Sequence, residues 1–444
     1  MKIALFVHCF FPGHFYGTET YTLNLALRLK ELGHEPIVVT AIFPGETQQG
    51  EIITHYVFKG IPVVCFDKNY MPNRRVSDTF YQPETREVFD KLLDEIRPDL
   101  VHVTHLINHT AALLEVLCAK GIPTVGTLTD FYGVCFNNKL ENAGGNLCAG
   151  PNASRSNCLA CYGKAVAVQP GSSSRYRVFS NEKYAERAAS VIMRARGLDR
   201  VKRSSIGPVI EDLRMRPDTL REMYAQYAAL ITPTAFLQHA YKENGFTNPM
   251  HAIWFGTDID RTLSIERRSD SVVRFGFIGQ IAPHKGTDLL IKAFSRLPKG
   301  KATLDIYGPA EQDPRYFATL KDIATEGVTF RGTFPSAEMA RVLSQMDVLV
   351  IPSVWYENSP LVLLDALATK TPVIVSDVEG LTEFVSEGET GLSFARGSVD
   401  VLTAALRRLV DDPDLLESMI RKTAYPRTIK DMVADTARVY ATVV

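Results

Sequence analysis

The sequence predicts an α/β chain built on two doubly wound, mostly parallel sheets. Two observations carry that expectation. Apolar runs of strand length alternate with helical stretches from the first residues onward. The alternation then starts afresh near residue 272, after the polar stretch "WFGTDIDRTLSIERRSD". A chain of 444 residues has room for two such units. The expected layout is a first unit over 1–255, a linker over 256–271 and a second unit over 272–425. A last helix within 426–444 would cross back to the first unit.

The elements follow in order. Lys2 to Val7 reads as a strand, and the loop after it holds Pro12, Gly13 and Gly17. Thr18 to Leu32 has amphipathic helical spacing and is closed by Gly33. Glu35 to Thr40 resumes as strand. "PDLVHVTH" and "GIPTVGTLTD" are two further strand candidates, with a helix at Thr110 to Lys120 between them. In the second series, "VVRFGFIGQIAPHKGTDLLIKAFSRLPKGKATLDIYG" gives strand, glycine-containing loop, helix and strand. "VTFRGTF" and "AEMARVLSQMDVLVIPS" extend it. The stretch "PSVWYENSPLVLLDALATKTPVIVS" then runs from a strand end through a short loop into a helix and back to strand. Ser359 is the expected N-cap of that helix and Pro360 its first residue.

Composition narrows the class. A formal net charge of −1 gives no reason to expect nucleic-acid binding. No run of 18 apolar residues marks a membrane span. The apolar start "MKIALFVHCFFPGH" is too short for a secretory leader and has no small-residue cleavage site, so a cytoplasmic protein is expected. Neither glycine loop carries G-x-G-x-x-G, and no G-x-x-x-x-G-K-[ST] is present, so nicotinamide and P-loop chemistry are both unsupported.

Two Rossmann-like halves still imply ligands at the carboxyl ends of their strands. In the second half, "GQIAPHKG" (Gly279 to Gly286) follows a strand and opens a helix. Gln280 and Lys285 there can meet a phosphate. The helix starting at Pro360 offers free backbone N–H groups and a positive dipole end. Glu357 sits beside that end, and Asp365 lies inside the helix. A carboxylate next to a phosphate site suits sugar hydroxyls, so the set suits a sugar nucleotide. The plainer alternatives are a Glu357 that only favours the helix dipole, a solvated Asp365 and a solvated Lys285.

These residues resemble a known group. "GQIAPHKGTDLLIKAF" and "PSVWYENSPLVLLDALATKTPVIVS" look like the donor half of retaining family 4 glycosyltransferases (glycosyl transferases group 1), which have the GT-B fold of two Rossmann-like domains facing across a cleft. "GTETYTLNLALRLKELGHEPIVVT" looks like the opening of their acceptor half, and "ITPTAFLQHAYKENGF" followed by "GTD" like the approach to their linker. The resemblance implies a nucleotide-sugar donor and a hydroxyl acceptor, as in glycan or lipid-linked glycan assembly for cell-surface polysaccharide. It implies that Glu357 contacts the donor sugar and Asp365 the ribose. Of the stretch Asn358, Ser359, Pro360 and Leu361, all but the proline would offer backbone N–H groups, Lys285 would neutralise the leaving diphosphate, and Gly17 would let the first loop approach the phosphates.

Three departures stand out. Asp365 replaces the usual Glu, Gln280 the commoner Arg, and Thr129 the His that many members have before Asp130. The acceptor-side polar group is then Asp130 or His105, although a histidine at a strand end also occurs without a role. The implied reaction needs no covalent nucleophile and no catalytic metal. A GT-B epimerase of sugar nucleotides and a binding-only relative are the alternatives.

The region from about 135 to 230 falls outside the resemblance. From Ser172 to Glu222 it holds 12 Arg or Lys against 7 Asp or Glu, counted along the sequence. That is either a solvated helical face or a peripheral surface for anionic lipid or a phosphate-bearing acceptor. Its first part carries Cys135, Cys148, Cys158 and Cys161, spaced C-x12-C-x9-C-x2-C. Seven cysteines in all, an odd number, fit a reducing compartment better than a disulfide framework. Glycine and asparagine allow tight turns between the four, and apolar residues look too few there for a core. The expectation is a closed structural zinc site, with free thiols, a redox pair or an iron–sulfur cluster as alternatives.

Overall fold

The computed structural model describes residues 1–168, 174–263 and 272–444. The chain divides into two compact units, one of residues 1–253 with 433–444 and one of residues 254–432. Part of the expected linker, 264–271, lies outside the described residues, as do 169–173 of the insertion.

The first unit holds eight strands: β1 (Lys2–Phe6), β2 (Glu35–Ile42), β3 (Ile53–Phe58), β4 (Ile61–Asp67), β5 (Leu100–Val103), β6 (Thr124–Thr127), β7 (Ala229–Thr232) and β8 (Met250–Ala252). They lie in the order β3-β4-β2-β1-β5-β6-β7-β8. All pairs are parallel except the β3–β4 hairpin. Ile3 to Phe6 are fully buried, as an unbroken apolar run in a strand covered on both faces should be. The hairpin turns at Lys59 and Gly60, both at positive φ, which suits a two-residue connection. β1 pairs with both β2 and β5, so the winding reverses at its carboxyl end.

The second unit holds β9 (Val273–Ile278), β10 (Ala302–Tyr307), β11 (Val328–Gly332), β12 (Val348–Ile351), β13 (Val373–Ser376) and β14 (Gly391–Phe394). All are parallel, in the order β11-β10-β9-β12-β13-β14. Phe275, Ile306, Val350 and Ile374 of the sheet pack with Leu290, Leu402 and Leu406 of the covering helices. Here the winding reverses between β9 and β12. Such a reversal opens a crevice at the strand ends where ligands bind.

The insertion corrects one expectation. Its helices Ser156–Ala167, Glu182–Ala195 and Gly207–Tyr224 build a small core of their own, with Leu159, Phe179, Met193, Ile210 and Leu213 all buried. Most of that core comes from residues after the cysteine loop, which is why the loop sequence alone looked too polar. The last helix, Ile429–Ala441, ends with Tyr440 fully buried in the first unit. The Tyr440 hydroxyl lies 2.6 Å from Nδ1 of His102, whose Nε2 lies 2.7 Å from the Thr127 hydroxyl. Burial pulls the His102 pKa down to about 3, so this bridging ring is neutral.

Candidate functional site

In the second unit two loops meet at the switch point. The turn after β9 carries Gln280, half-buried, and ends at Lys285 and Gly286. The loop after β12 carries Ser353 to Ser359. Val354 N–H donates to the His284 carbonyl at 2.9 Å, which ties the loops together. Gly286 has φ +70°, and a Cβ there would stand 2.0 Å from the Pro352 carbonyl oxygen. At Gly380, with φ +83°, a Cβ would stand 1.6 Å from the Glu357 carbonyl oxygen. Only glycine permits both approaches.

These loops place Glu357 and Lys285 together, 72 residues apart in sequence. Glu357 Oε1 accepts from Lys285 Nζ at 2.7 Å, from Ser353 Oγ at 2.6 Å and from Trp355 Nε1 at 2.9 Å. Burial alone would raise the Glu357 carboxyl, but Lys285 and the two neutral donors outweigh it and hold the pKa below the usual range. Lys285 also lies 4.9 Å from the centre of the Trp355 ring. The pair is therefore a fixed carboxylate and a fixed ammonium at the end of β12.

The helix that follows begins at Leu361, with Pro360 as its N-cap. This corrects the expected capping. Ser359 has φ +55°, so it is a left-handed turn residue and its hydroxyl does not cap the helix. Ser359 Oγ and Asn358 Oδ1 are both buried without a hydrogen-bond partner. Unpaired buried oxygens cost free energy unless a ligand meets them. Asp365, half-buried one turn further on, accepts from the Thr257 hydroxyl. Burial pushes its pKa up to about 6, against the pull of Thr257 and Arg261.

In the first unit, the ends of β1, β5 and β6 carry a second cluster. His105 Nδ1 accepts from Ile107 N–H at 3.1 Å, so Nε2 holds the proton and donates to Asp130 Oδ2 at 2.8 Å. Asp130 Oδ1 caps the next turn by accepting from Tyr132 N–H at 2.8 Å. His8 stacks on His105 at 4.4 Å between ring centres. Its Nε2 is 3.3 Å from Glu19 Oε1, which also accepts from Cys9 Sγ at 2.9 Å. Burial, with the neighbouring histidines, keeps His8 neutral. Glu19 is 2% exposed, yet its Oε2 has no partner, and neither has His8 Nδ1. Gly17 opens the helix Gly17–Glu31, and a Cβ there would touch no protein atom.

Sequence reading missed Ser353, Trp355 and Thr257 in the second unit and His8, Cys9 and Glu19 in the first. His8 and Cys9 were findable, because they stand immediately beyond the central strand. Trp355 stands two residues before Glu357, in a bend that brings its indole N–H to the carboxylate. Nothing local marks Glu19 as buried. Among the described residues, His8, Cys9 and Glu19 form the one group with three metal-ligating atoms within 4.8 Å of each other. No three of the sulfurs of Cys135, Cys148, Cys158 and Cys161 lie within 4.8 Å of one another.

Comparison with known proteins agrees with this layout. The family model described as Glycosyltransferase Family 4 matches residues 15–140, and that described as Glycosyl transferases group 1 matches residues 261–425. The chain belongs to the family 4-type glycosyltransferases. A glycogen synthase of Mycobacterium tuberculosis is 35% identical over 140 residues, 31% of this chain and 34% of the relative. The matched part of this glycosyltransferase homologue thus spans about a third of the length of that relative. Among solved structures, sucrose-phosphate synthase from Thermosynechococcus elongatus superposes with a TM-score of 0.64 at 16% identity, over 99% of this chain and 98% of its own. Anabaena Alr3699/HepE in complex with UDP and glucose gives 0.62 at 15% identity, over the whole of both chains. With two parallel-sheet α/β units, the fold is GT-B.

Proposed function

We propose that this chain transfers a sugar from a nucleotide-diphosphate donor to a hydroxyl of a glycan or lipid-linked glycan, with retention at the anomeric carbon. The observation that carries the reading is the Lys285–Glu357 pair at the end of β12, beside two buried side-chain oxygens without partners. All three donors to Glu357 reach Oε1. Oε2 is then the oxygen for a donor-sugar hydroxyl. The ammonium of Lys285 has further N–H donors for the leaving diphosphate. The bond from the anomeric carbon to the diphosphate breaks as the acceptor oxygen bonds to the same face. The departing phosphate oxygen takes the acceptor proton. Stabilising that growing negative charge is the main task. The neighbour complexed with UDP and glucose supports a sugar nucleotide as donor. His105 and Asp130 are assigned to the acceptor. The test is incubation with a panel of sugar nucleotides and glycan acceptors, with product configuration read by NMR. Product of inverted configuration, or epimerised donor without transfer, would replace this reading.

Asp365 supplies a pH test. Its raised pKa means the free protein is stabilised below the unfolded value, and that contribution is lost as pH rises through about 6. Partial exposure keeps the amount on the order of 1–2 kcal/mol. Nucleotide affinity should run the other way, because ribose hydroxyls donate to the ionised carboxylate. Binding of nucleoside diphosphate should therefore tighten between pH 5 and 7, and Asp365→Asn should flatten the profile. Affinity that falls over this range would remove Asp365 from the ribose role.

The cell-surface polysaccharide reading includes a peripheral site on anionic membrane. Tyr184, Val191 and Leu198 are exposed on and just after the helix Glu182–Ala195, interleaved with Arg187 and exposed Arg194. Arg196, Arg200, Lys202 and Arg203 are exposed beside them. Apolar and basic groups on one face suit a headgroup layer. No helix among the described residues is long and apolar enough to cross a membrane. Replacing Arg194, Arg196, Arg200, Lys202 and Arg203 by Ser should weaken sedimentation with anionic vesicles, more at low salt than at high. Equal sedimentation of both proteins would return these helices to a solvated face.

A further inference from the structure

We propose that Cys135, Cys148, Cys158 and Cys161 bind one zinc ion in a closed structural site that holds the segment after Asp130. The backbone already gathers the four. Glu141 and Leu147 pair as a short antiparallel bridge, and Asn142 N–H donates to the Asn146 carbonyl at 2.8 Å. That hairpin carries Cys148 back beside Leu140, whose carbonyl accepts from Cys148 N–H at 2.7 Å. Cys158 and Cys161 lie three residues apart on the helix Ser156–Ala167, hence on one face. The Glu141 carbonyl lies 3.8 Å from Cys161 Sγ and 3.5 Å from Nδ2 of Asn137, whose Oδ1 accepts from Cys135 Sγ, and Asn157, next to Cys158, donates to Cys148 Sγ, so one small network reaches all four cysteines. None is in a disulfide.

Three further observations call for an ion there. The first is the environment of Cys148 Sγ. It accepts from Gly150 N–H at 3.4 Å and from Asn157 Nδ2 at 3.6 Å. A thiol is a poor acceptor, whereas a metal-bound thiolate is commonly supported by such donors. The second is Arg216. It is 3% exposed, forms no ion pair among the described residues, and its Nη1 has no hydrogen-bond partner. Its Nη2 donates to the Tyr132 carbonyl and the guanidinium lies over the rings of Phe80 and Tyr132, but no carboxylate among the described residues pairs with it. A buried, unpaired guanidinium is costly, and four thiolates around Zn²⁺ carry the net negative charge that would balance it. The third is backbone strain. Asn138 and Leu140 both have positive φ, at 62° and 48°, and Leu140 is a buried branched residue. Such conformations persist only where the surroundings enforce them. Leu140 is buried, its carbonyl accepting from Cys148 N–H, and Ala143 joins the helical core.

The thiols lie against local oxygens. Cys135 Sγ donates to Asn137 Oδ1 at 2.7 Å, and Cys148 Sγ to the Gly150 carbonyl at 3.4 Å. Cys161 Sγ lies 3.8 Å from the Glu141 carbonyl. Loading would release four protons and draw each sulfur to about 2.3 Å from the ion. The site would fix Cys135, whose N–H donates to the Phe131 carbonyl at 2.7 Å in the turn that Asp130 caps.

The experiment is metal analysis of the full chain purified without chelator. About one zinc per chain is expected, released in step with thiol modification by a mercurial. Cys158→Ser with Cys161→Ser should lose it and open the 135–165 loop to protease. Should that variant not fold, the wild type still decides. Cobalt exchanged into it should give the visible bands of a tetrahedral thiolate site. A wild-type chain that takes up no zinc when reduced and zinc-loaded would overturn the proposal. So would iron with sulfide, or two disulfides in the native chain.

Discussion

Lys285→Ala is expected to lower both stability and turnover. In the native chain the ammonium is what keeps a buried Glu357 ionised. Removing one partner of a buried ion pair costs about 3–5 kcal/mol. Lys285 is 19% exposed, and Ser353 and Trp355 still donate, so about 2–3 kcal/mol is expected here. The pH dependence should change sign. In the native protein the depressed Glu357 contributes stability above its unfolded pKa and loses it as pH falls through the folded one. Without Lys285, burial dominates and the carboxyl rises above its ordinary value. The variant should then gain stability as pH falls toward 4, relative to pH 8. Thermal unfolding of both proteins across that range checks this. Turnover should fall about 10²–10³-fold, with a raised donor KM, since the leaving charge grows in the transition state. A change confined to the acceptor KM would mean that the two units have been assigned the wrong way round.

Glu357→Gln separates charge from shape. A glutamine oxygen in the place of Oε1 still accepts from Ser353, Trp355 and Lys285, so the loop should keep its form. What disappears is the charge-assisted bond to a sugar hydroxyl, worth roughly 1.5–3 kcal/mol. Transfer should drop by about one to two decades. The Tm should move only a little, because the partly exposed ammonium of Lys285 can turn toward water. Undiminished turnover in this variant would sink the donor-sugar role.

The alternating pattern made both sheets legible, because a strand buried on both faces must be apolar throughout. The β3–β4 hairpin was less so, since β3 alternates between half-buried and exposed residues and only Lys59–Gly60 marks the turn. β7 and β8 are short and lie beyond the insertion from β6. At the site, Glu357, Lys285 and Asp365 were visible as residue types beside a helix start. Their partners were not, because Lys285 meets Glu357 across 72 residues and Thr257 meets Asp365 across 108. Ser359 misled for a local reason. A serine before proline looks like a cap, but here the chain needs a left-handed residue at that point, and the cap moves one position on.

The path of the chain through its two units bears on how it is made. The second unit is one continuous stretch, residues 254–432, whereas the first needs residues 433–444 as well. At about 5–20 residues per second, synthesis of the intervening stretch takes on the order of 10–40 seconds. During that time the first sheet lacks Tyr440, and His102 in β5 lacks the hydroxyl that engages its Nδ1. A chain cut back to end at residue 432 should therefore carry a protease-resistant second unit beside a first unit that is open to cleavage.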